Sequence, residues 1–297
     1  LFSLPLLAFS SSSFLINQSA FKNHDYSAAL SSFSSKEIKL QGIDLLDKLI
    51  SAVITDDIDL AYKIASKILI DNNENQEAYI VKLVYLISNN KHNQIKKIHE
   101  SSKVNNELID FIFFDNENFK NNAAISKSLI DIVISSFSNA DQNSLNYNFL
   151  LFYTSLSKII DKQNDRATLI KGELFQKVEQ LKDAEKNFKM IKSNSSFYLD
   201  AQRSLAVNYS NSLPYDQALK NIKKLLNNNS NHYSLKKILA DFYRVEKKYV
   251  LAISIYDEMI SNEEEDLWNL YYRRGICYER LDKWDKAEKD FLKSLDL

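Results

Sequence analysis

Four times in the second half of this 297-residue chain a small residue is followed three places on by an aromatic and twelve places on by an alanine. The sets are Gly172/Phe175/Ala184, Ala206/Tyr209/Ala218, Ala240/Tyr243/Ala252 and Gly275/Tyr278/Ala287, and the alanines are spaced by 34, 34 and 35 residues. A fixed period of this size marks a supersecondary unit that buries its apolar face only by stacking on copies of itself. Thirty-four residues have room for two helices of about twelve to fourteen residues and a short turn. The small residue and the alanine let the two backbones cross closely. Four places past each alanine stands a bulky apolar group (Phe188, Ile222, Tyr256, Phe291), on the same helix face and one layer further. Three places before it, near the expected start of the second helix, stands Leu181, Tyr215, Tyr249 or Trp284.

This set of slots, in four consecutive units over 165–198, 199–232, 233–267 and 268–297, resembles the tetratricopeptide repeat (TPR) family, exported bacterial members included. The resemblance implies an all-α, right-handed superhelical α-solenoid of helix-turn-helix repeats. The unit running from Leu270 to Phe291 carries the pattern most completely. A proline often found between repeats is missing, its place taken by Ser196, Ser230 and Asn-rich stretches, whose side chains can end helices through hydrogen bonds to the backbone.

Composition agrees with an all-helical array. The chain has 3 Gly and 2 Pro, against usual shares of about 7% and 5%, which leaves little material for tight hairpins or phosphate-cradling loops. Gly172 and Gly275 occupy the small slot, and Pro214 precedes a second helix, where a missing N–H costs little.

Residues 13–103 read as a more divergent form of the same plan, with Ala29, Ala61 and Ile95 in the alanine slot. Residues 104–164 hold three apolar helical runs without the slots, near 106–115, 122–138 and 144–161, and read as a divergent helical bridge between two arrays. Residues 1–12, opening Leu1-Phe-Ser-Leu-Pro-Leu-Leu-Ala-Phe-Ser10, resemble the remnant of a signal-peptide apolar region. The expectation is an exported, periplasmic protein, or a cytoplasmic one if that segment is a packing helix. No stretch has the roughly 18 apolar residues of a membrane span.

A net charge of −1, from 38 basic and 39 acidic residues, argues against a general nucleic-acid binder. His24, His92, His99 and His232 lack the spacing and companions of a metal set and read as surface or groove residues. Cys277, the single cysteine, reads as a buried inert thiol. No nucleotide loop or nucleophile elbow is present, so no cofactor, metal or catalytic residue is assigned. The acidic run Glu263–Asp266 stands before a helix start, where its charge favours the helix dipole.

What remains is recognition. In the family resembled here, the first helices line a groove that holds a peptide or partner helix, which implies a non-catalytic protein-binding scaffold. Mapping that lining gives Arg203, Lys237, Asp241, Arg244, Tyr272, Ile276 and Arg280 as candidate contacts. Asp241, Leu169 and Glu173 depart from the set with which some members grip chaperone tails, so that ligand is not expected. The alternatives are a targeting module of a larger enzyme with a catalytic domain beyond Leu297, and a self-associating component of an envelope assembly.

Overall fold

Every second helix of the four units begins on the residue three places before its alanine: Leu181–Met190, Tyr215–Asn228, Tyr249–Ser261 and Trp284–Leu295. The first helices, Asp165–Lys177, Tyr198–Ser212, Tyr233–Val245 and Leu267–Glu279, start within one residue of the expected positions. The structure, a computed structural model, describes residues 18–31, 43–102, 104, 106–139, 145–229, 232–262 and 266–297, and among these it contains helices and no strand. The apolar opening segment read as a signal-peptide remnant lies outside the described residues, as do Glu263–Glu265. No helix among the described residues is long and apolar enough to cross a membrane.

The slots do the packing expected of them. Ala184, Ala206, Ala218, Ala240 and Ala252 have no exposed surface, and Phe188, Ile222 and Tyr256 are fully buried beside them. A Cβ on Gly172 would stand 2.5 Å from Phe188 Cε1, and one on Gly275 would stand 2.7 Å from Phe291 Cε1. Both glycines are therefore set by the close passage of an aromatic ring and not by backbone conformation.

The turn between paired helices has a signature that the slots do not reveal. His24, Asp56, Asn90, Glu179, Lys247 and Asp282 all have φ between 56° and 64°, and each stands five places before the alanine slot of its hairpin. The residue after each one donates its N–H to a carbonyl five residues back, as from Gln180 to Phe175 at 2.9 Å or from Lys248 to Tyr243 at 2.7 Å. This is the left-handed helix stop usually given to glycine. Four of the six positions carry Asn, Asp or His, which tolerate that conformation better than most residues. Because the same turn precedes Ala29, Ala61 and Ile95, the early hairpins share the geometry of the later ones. The hairpin of Ala218 departs from it, with Leu213 extended at φ −114° ahead of Pro214.

The chain divides into two compact units, Leu1–Met190 and Ile191–Leu297. In the first, the helix Tyr147–Ile160 packs against Ile43–Ile54, Gln76–Ser88, Asn122–Asn139 and Asp165–Lys177. Rather than bridging two arrays, it is the centre of the amino-terminal unit, buried from Leu150 to Ser157. Its contact with Asn122–Asn139 is close because serines meet there: Ser157 Oγ donates to Ser126 O at 2.9 Å, and Ser126 Oγ to Ser157 O at 3.0 Å. The hairpin Asp165–Met190, read in the sequence as the opening of the four-unit array, belongs to this first unit. Early turns reach it directly: Lys171 meets Asp56 at 2.8 Å, and Gln180 donates to the carbonyl of Asn23 at 3.2 Å. Tyr26 donates to Asn148 of the central helix at 2.7 Å.

Candidate protein-binding surface

All seven candidate contacts lie in the Ile191–Leu297 unit, on or at the end of its three first helices. Those helices are neighbours: Tyr198–Ser212 packs on Tyr233–Val245, and Arg273 of the third reaches Asp241 of the second. Their residues divide into a bonded group and an accessible group.

The bonded group centres on Asp241. Its carboxylate accepts from Tyr256 Oη at 2.8 Å, from Arg244 Nη2 at 3.3 Å and from Arg273. Tyr256 is fully buried, and burial followed by the Asp241 charge pushes its phenol above the usual tyrosine range, so the hydroxyl remains a donor. A partly buried carboxylate with three donors is a structural joint between adjacent repeats. Lys237 is tied as well, with Nζ 2.7 Å from Asp266 and 5.9 Å from the Tyr233 ring centroid. Asp266 makes no side-chain cap on the helix it precedes; its carboxylate goes to Lys237 instead.

The accessible group is Arg203, Tyr272 and Arg280, while Ile276 is half-buried. Arg203 makes only a long, exposed pair with Asp200 at 3.4 Å, of the kind worth a few tenths of a kcal/mol. Tyr272 is 50% exposed, and its ring centroid lies 5.9 Å from that of Phe291. Arg280 is the C-cap of the last first helix and is exposed.

Sequence reasoning passed over the residues that tie the repeats together. The place before the small residue is Leu205 and Leu239 in two units, both buried, but Lys171 and Arg274 in the others. Arg274 grips Asp290 with Nε at 2.8 Å and Nη2 at 2.6 Å, reaches Asp257 of the preceding repeat at 2.6 Å, and lies between the rings of Tyr271 and Tyr278. A cation at a leucine slot was the readable signal, since a buried charge demands a partner.

The histidine reading needs correction. His24 bonds Tyr26 and Asn148, both at 2.9 Å, while His99 bonds Tyr79 at 3.0 Å, pairs with Asp110 at 3.4 Å and stacks on Phe114. Both are packing residues. Among the described residues no group of three or more His, Cys, Asp or Glu is placed to hold a metal ion. Cys277 is fully buried and burial pushes its thiol up to about 11, the state of an unreactive cysteine at neutral pH.

Paired helices of about thirteen residues, small residues at each crossing, a left-handed stop and a 34-residue period together decide the architecture. The hairpins resemble those of tetratricopeptide repeats. No protein-family model matches the chain, and no curated protein matches it. Among solved structures it is similar to MamA, with 18% identity over 58% of this chain and 90% of that one and a TM-score of 0.43. It is also similar to a tetratricopeptide repeat protein from Parabacteroides merdae ATCC 43184, with 16% identity over 85% and 91% of the two chains and a TM-score of 0.43. A chain of the APC/C hetero-tetramer Cut9–Hcn1 matches at 15% identity over 90% of this chain, which spans about half of that one at 48%, with a TM-score of 0.43.

Proposed function

We propose that this protein is a non-catalytic scaffold that binds a peptide or helix of another protein on the first-helix face of its Ile191–Leu297 unit. The observation that carries the reading is the separation of roles on that face. Asp241, Arg244 and Lys237 spend their charges within the fold, while Arg203, Tyr272 and Arg280 present two guanidinium groups and a half-exposed aromatic with no structural employment of comparable strength. Aromatic and arginine side chains supply most hot spots at protein interfaces. Export, read from residues 1–12, remains part of the proposal and is tested by fractionating cells that make the full-length protein.

The binding reading is tested by crosslinking the purified full chain in its native extract and mapping the crosslinked residues, beside an Arg203→Glu/Tyr272→Ala/Arg280→Glu variant. Crosslinks that cluster on the three first helices and vanish in the variant support the scaffold. Crosslinks that survive unchanged, or that map elsewhere, reject this face.

A further inference from the structure

The amino-terminal unit has a second surface, distinct from the first-helix face just described. A groove of about 990 Å³ runs along the helix Asn122–Asn139 from Ala124 to Ser136, walled by Leu108 and Phe111 on one side and by Leu145, Phe149 and Leu150 on the other. Thirteen residues of helix, twelve rises apart from end to end, give it a floor of about 18 Å. Phe111 is 60% exposed, and Leu108 and Phe149 also reach solvent, so three large apolar side chains line an open channel.

The groove exists because one hairpin has lost most of its first helix. Elsewhere in this unit Ile58–Asp71 lies between two full helices, Ile43–Ile54 and Gln76–Ser88. Asn122–Asn139 has Tyr147–Ile160 on one side, but on the other only a broken segment: one α-turn at Glu107–Ile109, a π-turn at Asp110–Phe114 and a 3-10 stretch at Asp115–Lys120. The π-turn buries Ile112 and Phe113 and turns Phe111 outward. It is also braced, since His99 pairs with Asp110 and stacks on Phe114 at 3.7 Å, and Asn118 donates to the carbonyl of Phe111 at 3.3 Å. A braced wall has little ordering left to lose when it binds.

We propose that this groove receives one amphipathic α-helix of a protein partner, in the place a first helix would fill. Three observations select a helix over an extended peptide. The floor residues Ala124, Ser128, Ser135 and Ser136 are small, which lets a helix axis approach. The floor is one face of Asn122–Asn139, whose interior backbone groups are bonded within that helix's own ladder, and on the wall beside it Asn146 Oδ1 already accepts from Phe149 N–H at 3.2 Å. An extended peptide would bury N–H and C=O groups without partners, whereas a helix brings its own bonds. Lys127 and Asp131, one turn apart, are the charged residues of the lining and set a polarity for charges beside the partner's apolar stripe.

The test uses the full chain and a labelled 18-residue Lys/Glu peptide with leucines at i, i+3, i+4 and i+7 spacing, followed by fluorescence anisotropy. Two controls are an isomer with the same composition but scattered leucines, and the same peptide with a central proline. The expected result is saturable binding, at least tenfold weaker for either control and at least tenfold weaker when the protein carries Phe111→Glu or Ser135→Trp. Both positions are exposed, and unchanged circular dichroism checks the fold. The Arg203→Glu/Tyr272→Ala/Arg280→Glu variant should bind the peptide as the parent does, so the two surfaces fail independently. No binding, equal binding of the scattered isomer, or indifference to both substitutions overturns the proposal. Full binding of the proline peptide overturns it in favour of an extended ligand, and self-association of the parent that Phe111→Glu abolishes overturns it in favour of a second copy.

Discussion

Lys171 Nζ lies 2.8 Å from a carboxylate oxygen of Asp56, 115 residues earlier in the chain, and the lysine side chain is only 2% exposed. Lys171 stands where two other repeats place a buried leucine, so its charge is tolerated through one distant partner. Asp56→Asn should destabilise the amino-terminal unit by about 3 kcal/mol by stranding the ammonium. Lys171→Met, which removes the charge and keeps the volume, should cost far less. Burial holds the Lys171 pKa below the ordinary lysine range and Asp56 opposes that shift. The unfolded chain therefore binds more protons than the folded one between the two values, and stability rises with pH through that window. Urea unfolding at about pH 7 and about pH 9.5 should show Asp56→Asn regaining part of its loss at the higher pH, and Lys171→Met showing no such recovery.

The two glycines should respond differently to a methyl group. At Gly172 the new carbon would meet Phe188, which is fully buried and has nowhere to move. Overpacking of about 1–3 kcal/mol should exceed the gain of about 1 kcal/mol in helix propensity, leaving Gly172→Ala destabilised. At Gly275 the nearest atoms belong to the ring of Phe291, which is partly exposed and can swing outward, with the Cβ of buried Asp290 next at 3.3 Å. Gly275→Ala should be close to neutral, and Phe188→Leu should rescue Gly172→Ala, both read from denaturant midpoints.

Much of this was legible from residue spacing. Helix starts, crossing points and the layered core followed from one period, because small and bulky residues at fixed offsets leave few ways to pack two helices. The left-handed turns were not legible, since Glu179, Lys247 and Asp282 are ordinary surface residues by composition and only their φ values distinguish them. The candidate surface was half legible. Spacing placed Arg203, Tyr272 and Arg280 on first helices, but it could not show that Asp241 faces Arg273 and Tyr256, because those bonds depend on the offset between neighbouring repeats.

Lys247 holds φ 59°, a conformation that glycine adopts without penalty. Lys247→Gly should therefore stabilise the Ile191–Leu297 unit by up to about 1 kcal/mol. Leu213→Gly, at the equivalent place but with φ −114°, should instead destabilise it by adding freedom to the unfolded chain. Thermal melts of the two variants side by side test the turn assignment.

Cys277 should resist iodoacetamide in the native protein near neutral pH, with a thiol held at about 11 and no exposed surface. Rapid labelling should begin only where urea unfolds the Ile191–Leu297 unit, so the alkylation midpoint should follow the loss of helicity. Labelling well before that midpoint would show that the last repeat opens on its own.

The helix Tyr147–Ile160 touches segments on both sides of it in sequence, from Ile43 to Lys177. An ideal repeat array can consolidate hairpin by hairpin as it leaves the ribosome, because each hairpin needs only its predecessor. Here the early hairpins present apolar faces whose cover has not yet been translated when they emerge. Until Ile160 has cleared the exit tunnel those faces stay open to premature association, and only then can the central helix close over them.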